Sequence, residues 1–237
     1  SARLRPGRPP LRLAQLSDMH LRRLRPRHRR MVQLVAERRP HLLFLTGDIL
    51  GRDDRSQELC KELLSELRAE HGVFACRGNR EVRSLLRVAT LRRAMAGWGV
   101  ELLVNEHRDV RTDAGVVRVA AVDDLSLGWP SFAEALDGGA DAPDYTVLLS
   151  HAPLAARFIG AEDGVDLLLS GHTHGGQIRI PLLWRAVLPA CTGPFHEGLY
   201  ETDWGHVYVN RGFGTAPVLP LRWRCPAELT FFEVRPA

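Results

Sequence analysis

The chain has 237 residues, 45% of them apolar and 25% charged, a balance that excludes a disordered, collagen-like or coiled-coil polypeptide. No apolar run reaches the ~18–20 residues that span a bilayer. Length and composition also exclude a small disulfide scaffold, and the four cysteines (Cys60, Cys76, Cys191 and Cys225) show no CxxC spacing, which argues against structural zinc and leaves free thiols in a reducing compartment as the default. The charge is uneven: residues 1–39 hold 12 Arg against Asp18 and Glu37, a net of +10, while the remainder holds 20 basic and 26 acidic residues, a net of −6.

Strand and helix signals alternate along the first hundred residues. Residues 11–17 (LRLAQLS) alternate apolar and polar and predict a strand. Residues 27–38 predict a basic helix with Met31, Leu34 and Val35 on one face. Residues 41–46 (HLLFLT) are a short apolar run expected as a strand buried on both sides. Residues 57–69 predict an amphipathic helix through Leu59, Leu63, Leu64 and Leu67; a strand at 72–76 and a helix at 84–96 follow. Further strands are expected at 100–104, 116–121, 146–149, 165–169, 206–209 and 229–234, with a helix at 131–136. The βαβ order implies a helix-covered sheet, and the strand-rich second half implies a second sheet packed on the first. The expected architecture is α/β: a four-layer αββα sandwich of two mixed sheets flanked by helices, in one domain over residues 1–237.

Polar clusters fall where strands end. The first strand runs into Asp18-Met19-His20, the second into Gly47-Asp48, and the third into Gly78-Asn79-Arg80-Glu81. Later strands run into Ser150-His151 and into Gly171-His172-Thr173-His174-Gly175-Gly176. Five strands thus deliver Asp, Asn or His at their carboxyl ends, the edge at which open α/β sheets bind ligands. Carboxylate and amide oxygens with imidazole nitrogens, and no sulfur, suit hard to borderline divalent metals. The i,i+2 spacing in Asp18/His20 and His172/His174 puts both groups on one side of an extended segment. A carboxylate such as Asp48 can bridge two cations, and a pair ~3.5–4 Å apart forms the clamp used for in-line phosphoryl displacement.

On these motifs the chain resembles the calcineurin-like metallophosphoesterase superfamily, whose pattern is D-x-H, G-D, G-N-H-D/E, H and G-H-x-H. The form Gly171-His172-Thr173-His174-Gly175-Gly176-Gln177 is similar to its bacterial YkuE/YaeI-type phosphodiesterase branch. So is the tail: Gly198-Leu199-Tyr200, Tyr208-Val209-Asn210-Arg211-Gly212-Phe213-Gly214 and Cys225-Pro226-Ala227-Glu228. The resemblance implies two divalent metal ions, manganese first, with iron or zinc compatible. Asp18, His20, Asp48 and His174 would hold one and Asp48, Asn79, His151 and His172 the other. A metal-bridging hydroxide would attack a phosphodiester or pyrophosphate bond, and Asn79, Arg80 and His151 would serve the chemistry.

Arg80 stands where the superfamily carries His. Arg cannot donate a proton to a leaving oxygen, because its pKa is above ~12, but its planar fork matches phosphate oxygens. In this position the chain is similar to UDP-2,3-diacylglucosamine pyrophosphatase, which carries G-N-R-D. That similarity implies a phosphate-containing small-molecule or lipid-linked substrate, such as a nucleotide-linked lipid. The alternative is a metal-bound scaffold or binding module with weak or no catalysis.

The Arg-rich start has two readings: a solvated basic surface, or attachment to an anionic membrane through Leu21-Arg22-Arg23-Leu24-Arg25, at roughly 1 kcal/mol per basic side chain. The two leucines fit apolar contact or core equally. Nucleic acid is disfavoured, since no aromatic residues interleave with the basic run. Ser1 in place of Met predicts a processed chain whose preceding segment anchors it to a membrane, on the cytoplasmic face; the oligomeric state is not readable. Of the residues outside the motifs, Glu81 reads as a supporting or surface residue rather than a ligand. Asp123-Asp124 is expected in a loop near the site, and His196 reads as a packing or surface residue, with support of the site as the alternative.

Overall fold

The computed structural model describes residues 4, 6–51, 55–84, 86–138, 142–181, 184–216 and 220–236. In chain order the elements are β1 (Leu11–Leu16), α1 (Pro26–Arg38), β2 (Leu42–Thr46), α2 (Arg55–Leu64), β3 (Val73–Cys76), α3 (Asn79–Arg83), α4 (Val88–Ala96) and β4 (Glu101–Leu102). There follow β5 (Glu106–Thr112), β6 (Gly115–Ala121), α5 (Phe132–Leu136), β7 (Tyr145–Leu149), β8 (Leu167–Ser170), β9 (Gly198–Glu201), β10 (His206–Val209) and β11 (Thr230–Val234), with short 3₁₀ turns between β7 and β9.

The strands form two mixed sheets. One has the order β11-β1-β2-β3-β4 and the other β5-β6-β7-β8-β10-β9. Strands β1 to β4 run parallel with β11 antiparallel at one edge. In the second sheet β6, β7, β8 and β10 are parallel, and β5 and β9 close the edges antiparallel. The register sets Leu16 beside Leu45, Thr46 beside Cys76 and Leu149 beside Leu169. The chain therefore leaves β1, β2 and β3, and likewise β7 and β8, at one common edge.

Side-chain alternation explains how the layers stack. Leu11 and Leu13 of β1, with Leu42 and Phe44 of β2, pack against Val117, Val119, Val147 and Leu149 of the second sheet. Their neighbours Ala14, Leu16, Leu43 and Leu45 face the other way, onto Met31 and Val35 of α1, Leu63 of α2 and Met95 of α4. Ala120, Leu148 and Leu168 on the outer face of the second sheet pack against Ala135, Ala155 and Ile159, so that layer is one short helix and 3₁₀ turns. One polar group crosses the core: buried Gln15 donates from Nε2 to the Ser170 carbonyl and to Thr46 Oγ1, both at 2.9 Å, and ties the sheets together next to the common edge.

Several boundaries differ from the sequence reading. The helix expected at 84–96 is α4, which starts at Val88, and a short helix that was not expected, α3, precedes it at Asn79–Arg83. The helix expected to reach residue 69 ends at Leu64, where Glu66 and Leu67 bond three residues back in tighter turns. The strand at 100–104 shortens to two residues. β5 was not expected because its sequence EHRDVRT lacks an apolar run; it is a half-exposed edge strand held by its antiparallel pairing with β6. Leu21 is buried and partly buried Leu24 packs against the core, the second of the two places the sequence left open for them. Among the described residues no helix is long and apolar enough to cross a membrane.

Phe44 is fully buried between the sheets. Phe44→Ala should destabilise the fold by about 3–5 kcal/mol through lost burial and the cavity left behind, read as a lower urea midpoint at unchanged m-value.

Candidate metal centre

The parallel pairing of β1 and β2 continues past the strands: Asp18 N–H donates to Gly47 O, His20 N–H to Asp48 O and Leu21 N–H to Ile49 O, at 2.9–3.1 Å. Within these segments the backbone turns into the left-handed region. Asp18, His20, Asp48, His172 and His174 have φ of 50°, 41°, 53°, 71° and 50°. Such conformations cost roughly 1–3 kcal/mol each for non-glycine residues and persist only where the surroundings hold them. Five of the residues singled out as metal-ligating are thus held in unfavourable backbone conformations.

The side chains converge in two overlapping groups. Asp18, His20 and His174 form one, and Asp18, Asp48 and His151 the other, with ligand-type atoms inside each group within 4.8 Å of one another. His20 Nε2 lies 3.1 Å from His174 Nε2, their rings stacked at 9°. Asp18 Oδ1 is 3.3 Å from His174 Nε2 and 4.0 Å from His151 Nε2. Asp48 presents one oxygen to each side: Oδ2 is 3.5 Å from His20 Nε2 and Oδ1 is 3.5 Å from His151 Nε2. Asn79 Oδ1 lies 3.2 Å from His151 Nε2. His172 belongs to neither group; its ring stands edge-on to His151 at 4.8 Å, and Nε2 donates to the Ala190 carbonyl at 2.7 Å. Arg80 donates its backbone N–H to Asp48 Oδ1 at 2.7 Å.

A second layer fixes these groups. Ser17 Oγ–H and the His172 N–H both donate to Asp18 Oδ2, at 2.6 and 2.9 Å, and turn Oδ1 into the cluster. His151 Nδ1–H donates to the Thr46 carbonyl at 2.8 Å, which turns Nε2 inward toward the carboxylates. Buried Glu81 accepts four backbone N–H groups, from Asp48, Ile49, Leu50 and Gly78, at 2.8–2.9 Å. The tail closes the far side. Phe213 and Gly214 donate to the carbonyls of Ser17 and Asp18, and the Cys225 thiol donates to the His174 carbonyl at 3.2 Å. Gly171 permits the closest approach, since a Cβ there would lie 1.8 Å from Ser17 Oγ and 2.3 Å from Asp18 Oδ2.

Other sequence expectations find different places. His196 supports the histidine loop with its backbone, its carbonyl accepting from Thr173 Oγ1 at 2.7 Å, while its ring packs on Trp184. Asp123-Asp124 lies in a loop beside the site, as expected: Asp123 forms a buried two-pronged pair with Arg77, which directly follows β3, and the charge of Asp124 acts on His151 and His172. Sequence reasoning underestimated Glu81 and missed Ser17 and Arg222. For Glu81 a signal existed: a Glu three residues after the glycine that opens a helix can cap its backbone. Ser17 and Arg222 act through contacts that no local pattern encodes.

Burial dominates the electrostatics. It pushes His174 and His172 down to about 4 and His20 well below its ordinary value, so these imidazoles are neutral. Burial pushes Asp48 up to about 8, against the opposing effect of His151. Burial would lower His151, but the Asp48 and Asp18 carboxylates outweigh it and raise the imidazole to about 9. Burial would raise Asp18, and the neighbouring His174, His151 and His20 hold it below the usual carboxylate range instead.

These residues fit divalent cations. Asp18 Oδ1 is buried without a hydrogen-bond partner, and His20 Nδ1 likewise. Oxygen and imidazole donors without thiolate are the set that hard to borderline ions prefer. A double-sheet sandwich whose parallel strands bring such donors together at one edge defines a metal-dependent phosphohydrolase. The chain belongs to the calcineurin-like phosphoesterase family, whose model matches residues 11–176. It is 32% identical to the uncharacterized metallophosphoesterase YkuE of Bacillus subtilis over 94% of this chain and 79% of that protein. It is 28% identical to the phosphodiesterase YaeI of Escherichia coli over 95% and 82%. The NAD nucleotidase NadN of Haemophilus influenzae shares the fold at TM-score 0.55 and 13% identity, over 84% of this chain and 50% of that one.

Glu81→Gln replaces an acceptor of four N–H groups by an amide that must turn a donor toward some of them. We expect a loss of about 1.5–3 kcal/mol in stability, measured by urea unfolding, and a lower metal content by elemental analysis. Gly171→Ala should reduce metal content further, because the added methyl displaces Asp18.

Proposed function

We propose that the chain hydrolyses a phosphodiester or pyrophosphate bond with two divalent cations, manganese first. Asp18, His20, Asp48 and His174 hold one; Asp48, Asn79, His151 and His172 hold the other. The observation that carries this reading is Asp48: a single buried carboxylate with one oxygen toward His20 and the other toward His151. When bound, such a pair of cations activates water and withdraws charge from the phosphoryl oxygens.

The protein groups then have separable tasks. Asp18 and Asp48 supply the negative charge that holds cations in a buried site. The hydrogen bond from His151 Nδ1 to Thr46 O keeps that ring in the tautomer a ligand needs. Arg80 stands in the first turn of α3 beside Asp48, and its positive charge adds to burial in lowering His20. A guanidinium there binds a phosphoryl oxygen and stabilises charge but cannot protonate the leaving group. The preferred leaving group is therefore one that departs without a proton, such as a nucleoside monophosphate. That favours the pyrophosphate of a nucleotide-linked lipid such as UDP-2,3-diacylglucosamine over an alkyl phosphodiester.

The test is manganese-loaded turnover of bis(p-nitrophenyl) phosphate, a nucleotide sugar pyrophosphate and its diacylated form, side by side. Asp48→Asn should lower bound metal and reduce turnover more than about 100-fold, beyond the effect of losing a supporting residue. Arg80→His should raise turnover of alkyl diesters and lower that of the pyrophosphate. No hydrolysis of any substrate by the loaded wild type would instead make the chain a metal-bound scaffold.

A further inference from the structure

Two cavities among the described residues bear on the argument. One of about 690 Å³ lies at the amino-terminal ends of β7, β8 and β10, on the side away from the metal cluster. The other, of about 470 Å³, adjoins the cluster through His20 and is lined by Arg22, Arg23, Arg25, Arg27 and Arg222. No carboxylate is among its described lining residues. Its second histidine, His28, offers no negative charge either: burial and then Arg27 push it down to about 4, and its Nδ1 accepts the Arg25 N–H at 2.9 Å.

Two of these arginines are fixed by the protein. Arg222 donates to the carbonyls of Gly214, Arg211 and Gly212 at 2.7–2.9 Å. The carboxylate that acts on it, Asp18, belongs to the metal cluster. Arg27 stacks its guanidinium over Phe213, 5.4 Å from the ring centroid. Burial, followed by repulsion from Arg25, lowers the affinity of Arg27 for its proton. Arg23, Arg25, Arg27 and Arg222 bring four guanidinium groups to one cavity; like charges repel, and an anion relieves that repulsion. Guanidinium forks match phosphate oxygens, and the volume is within the range of small-ligand sites.

We infer that this cavity is an anion subsite that receives a second phosphate of the substrate while the scissile phosphate lies at the metal cluster. The substrate class is thereby narrowed to phosphoesters that carry two neighbouring phosphate groups. Calling the ligand a substrate rests on the hydrolytic reading above, whereas the affinity of the cavity for phosphate does not.

The experiment uses inorganic pyrophosphate as probe, titrated calorimetrically into chelator-treated protein. The wild type should bind it, and Arg23→Gln with Arg25→Gln should weaken binding at least about tenfold through the loss of two charge-assisted contacts. In the manganese-loaded enzyme the same double variant should lower kcat/KM for the nucleotide sugar pyrophosphate about tenfold more than for bis(p-nitrophenyl) phosphate. Equal loss on both substrates, or pyrophosphate binding unaffected by the substitutions, overturns the subsite. Vesicles of phosphatidylglycerol separate the sources of phosphate: if the variant loses vesicle binding but keeps pyrophosphate binding, the arginines serve lipid headgroups and the inference falls. Wild type that binds pyrophosphate but hydrolyses nothing overturns the hydrolytic reading and leaves the anion site standing.

Discussion

The carboxylate of Glu81 gathers the N–H groups of Asp48, Ile49 and Leu50 after β2 and of Gly78 after β3. Backbone donors that leave a parallel sheet at its carboxyl edge lose their ladder partners, and in a buried place each must find another acceptor. A single anionic side chain meets four of them. By doing so it sets the path of the chain through Asp48, and Asp48 in turn faces both donor groups of the cluster. The short helix α3 exists in this position because its third residue reaches back to its own start. Without that acceptor the ends of β2 and β3 would need other partners, and the carboxylate shared between the two sides would lose its place.

Around that point the site is assembled from parts distant in sequence. The first sheet supplies Asp18, His20, Asp48 and Asn79; the second supplies His151, His172 and His174. Gln15 crosses the core to the Ser170 carbonyl just before the histidine loop, so the two sheets are tied beside the cluster they share. The tail residues act on the same loop. Cys225 and Arg222 both reach the His174 carbonyl, and Glu228 holds Arg211 through its backbone N–H and its guanidinium. This arrangement accounts for five non-glycine residues with positive φ in one place: the cost is local, while the restraint comes from the whole sandwich.

Much of this was legible because two periodicities and one topological rule sufficed. Continuous apolar runs marked the buried strands β2 and β7, and polar clusters at strand ends marked the edge where Asp18, His20, Asp48, His151 and His174 meet. The rest was hidden for definite reasons. β5 carries charges on an exposed edge, and its pairing with β6 outweighs a composition that does not look like a strand. α3 was missed because it rests on the Glu81 hydrogen bonds to segments distant in sequence. The Arg-rich start had two readings in the sequence, a solvated surface or a membrane contact beside the first metal-type loop, and only the fold shows Arg22, Arg23 and Arg25 meeting Arg222, about two hundred residues away, around one cavity. The buried position of Leu21 was open in the sequence, since a leucine beside a metal-type loop can face either way.

Because each sheet carries only part of the cluster, an ion can be held in full only while both sheets are packed together. Any cation that binds the cluster therefore favours the assembled sandwich over every partly opened form, by an amount that grows with the logarithm of its free concentration. Partly opened forms are those that proteases attack. Scarcity of the ion would then shorten the survival of the polypeptide as well as silence it, and the supply of metal becomes a control on how much of the protein a cell keeps.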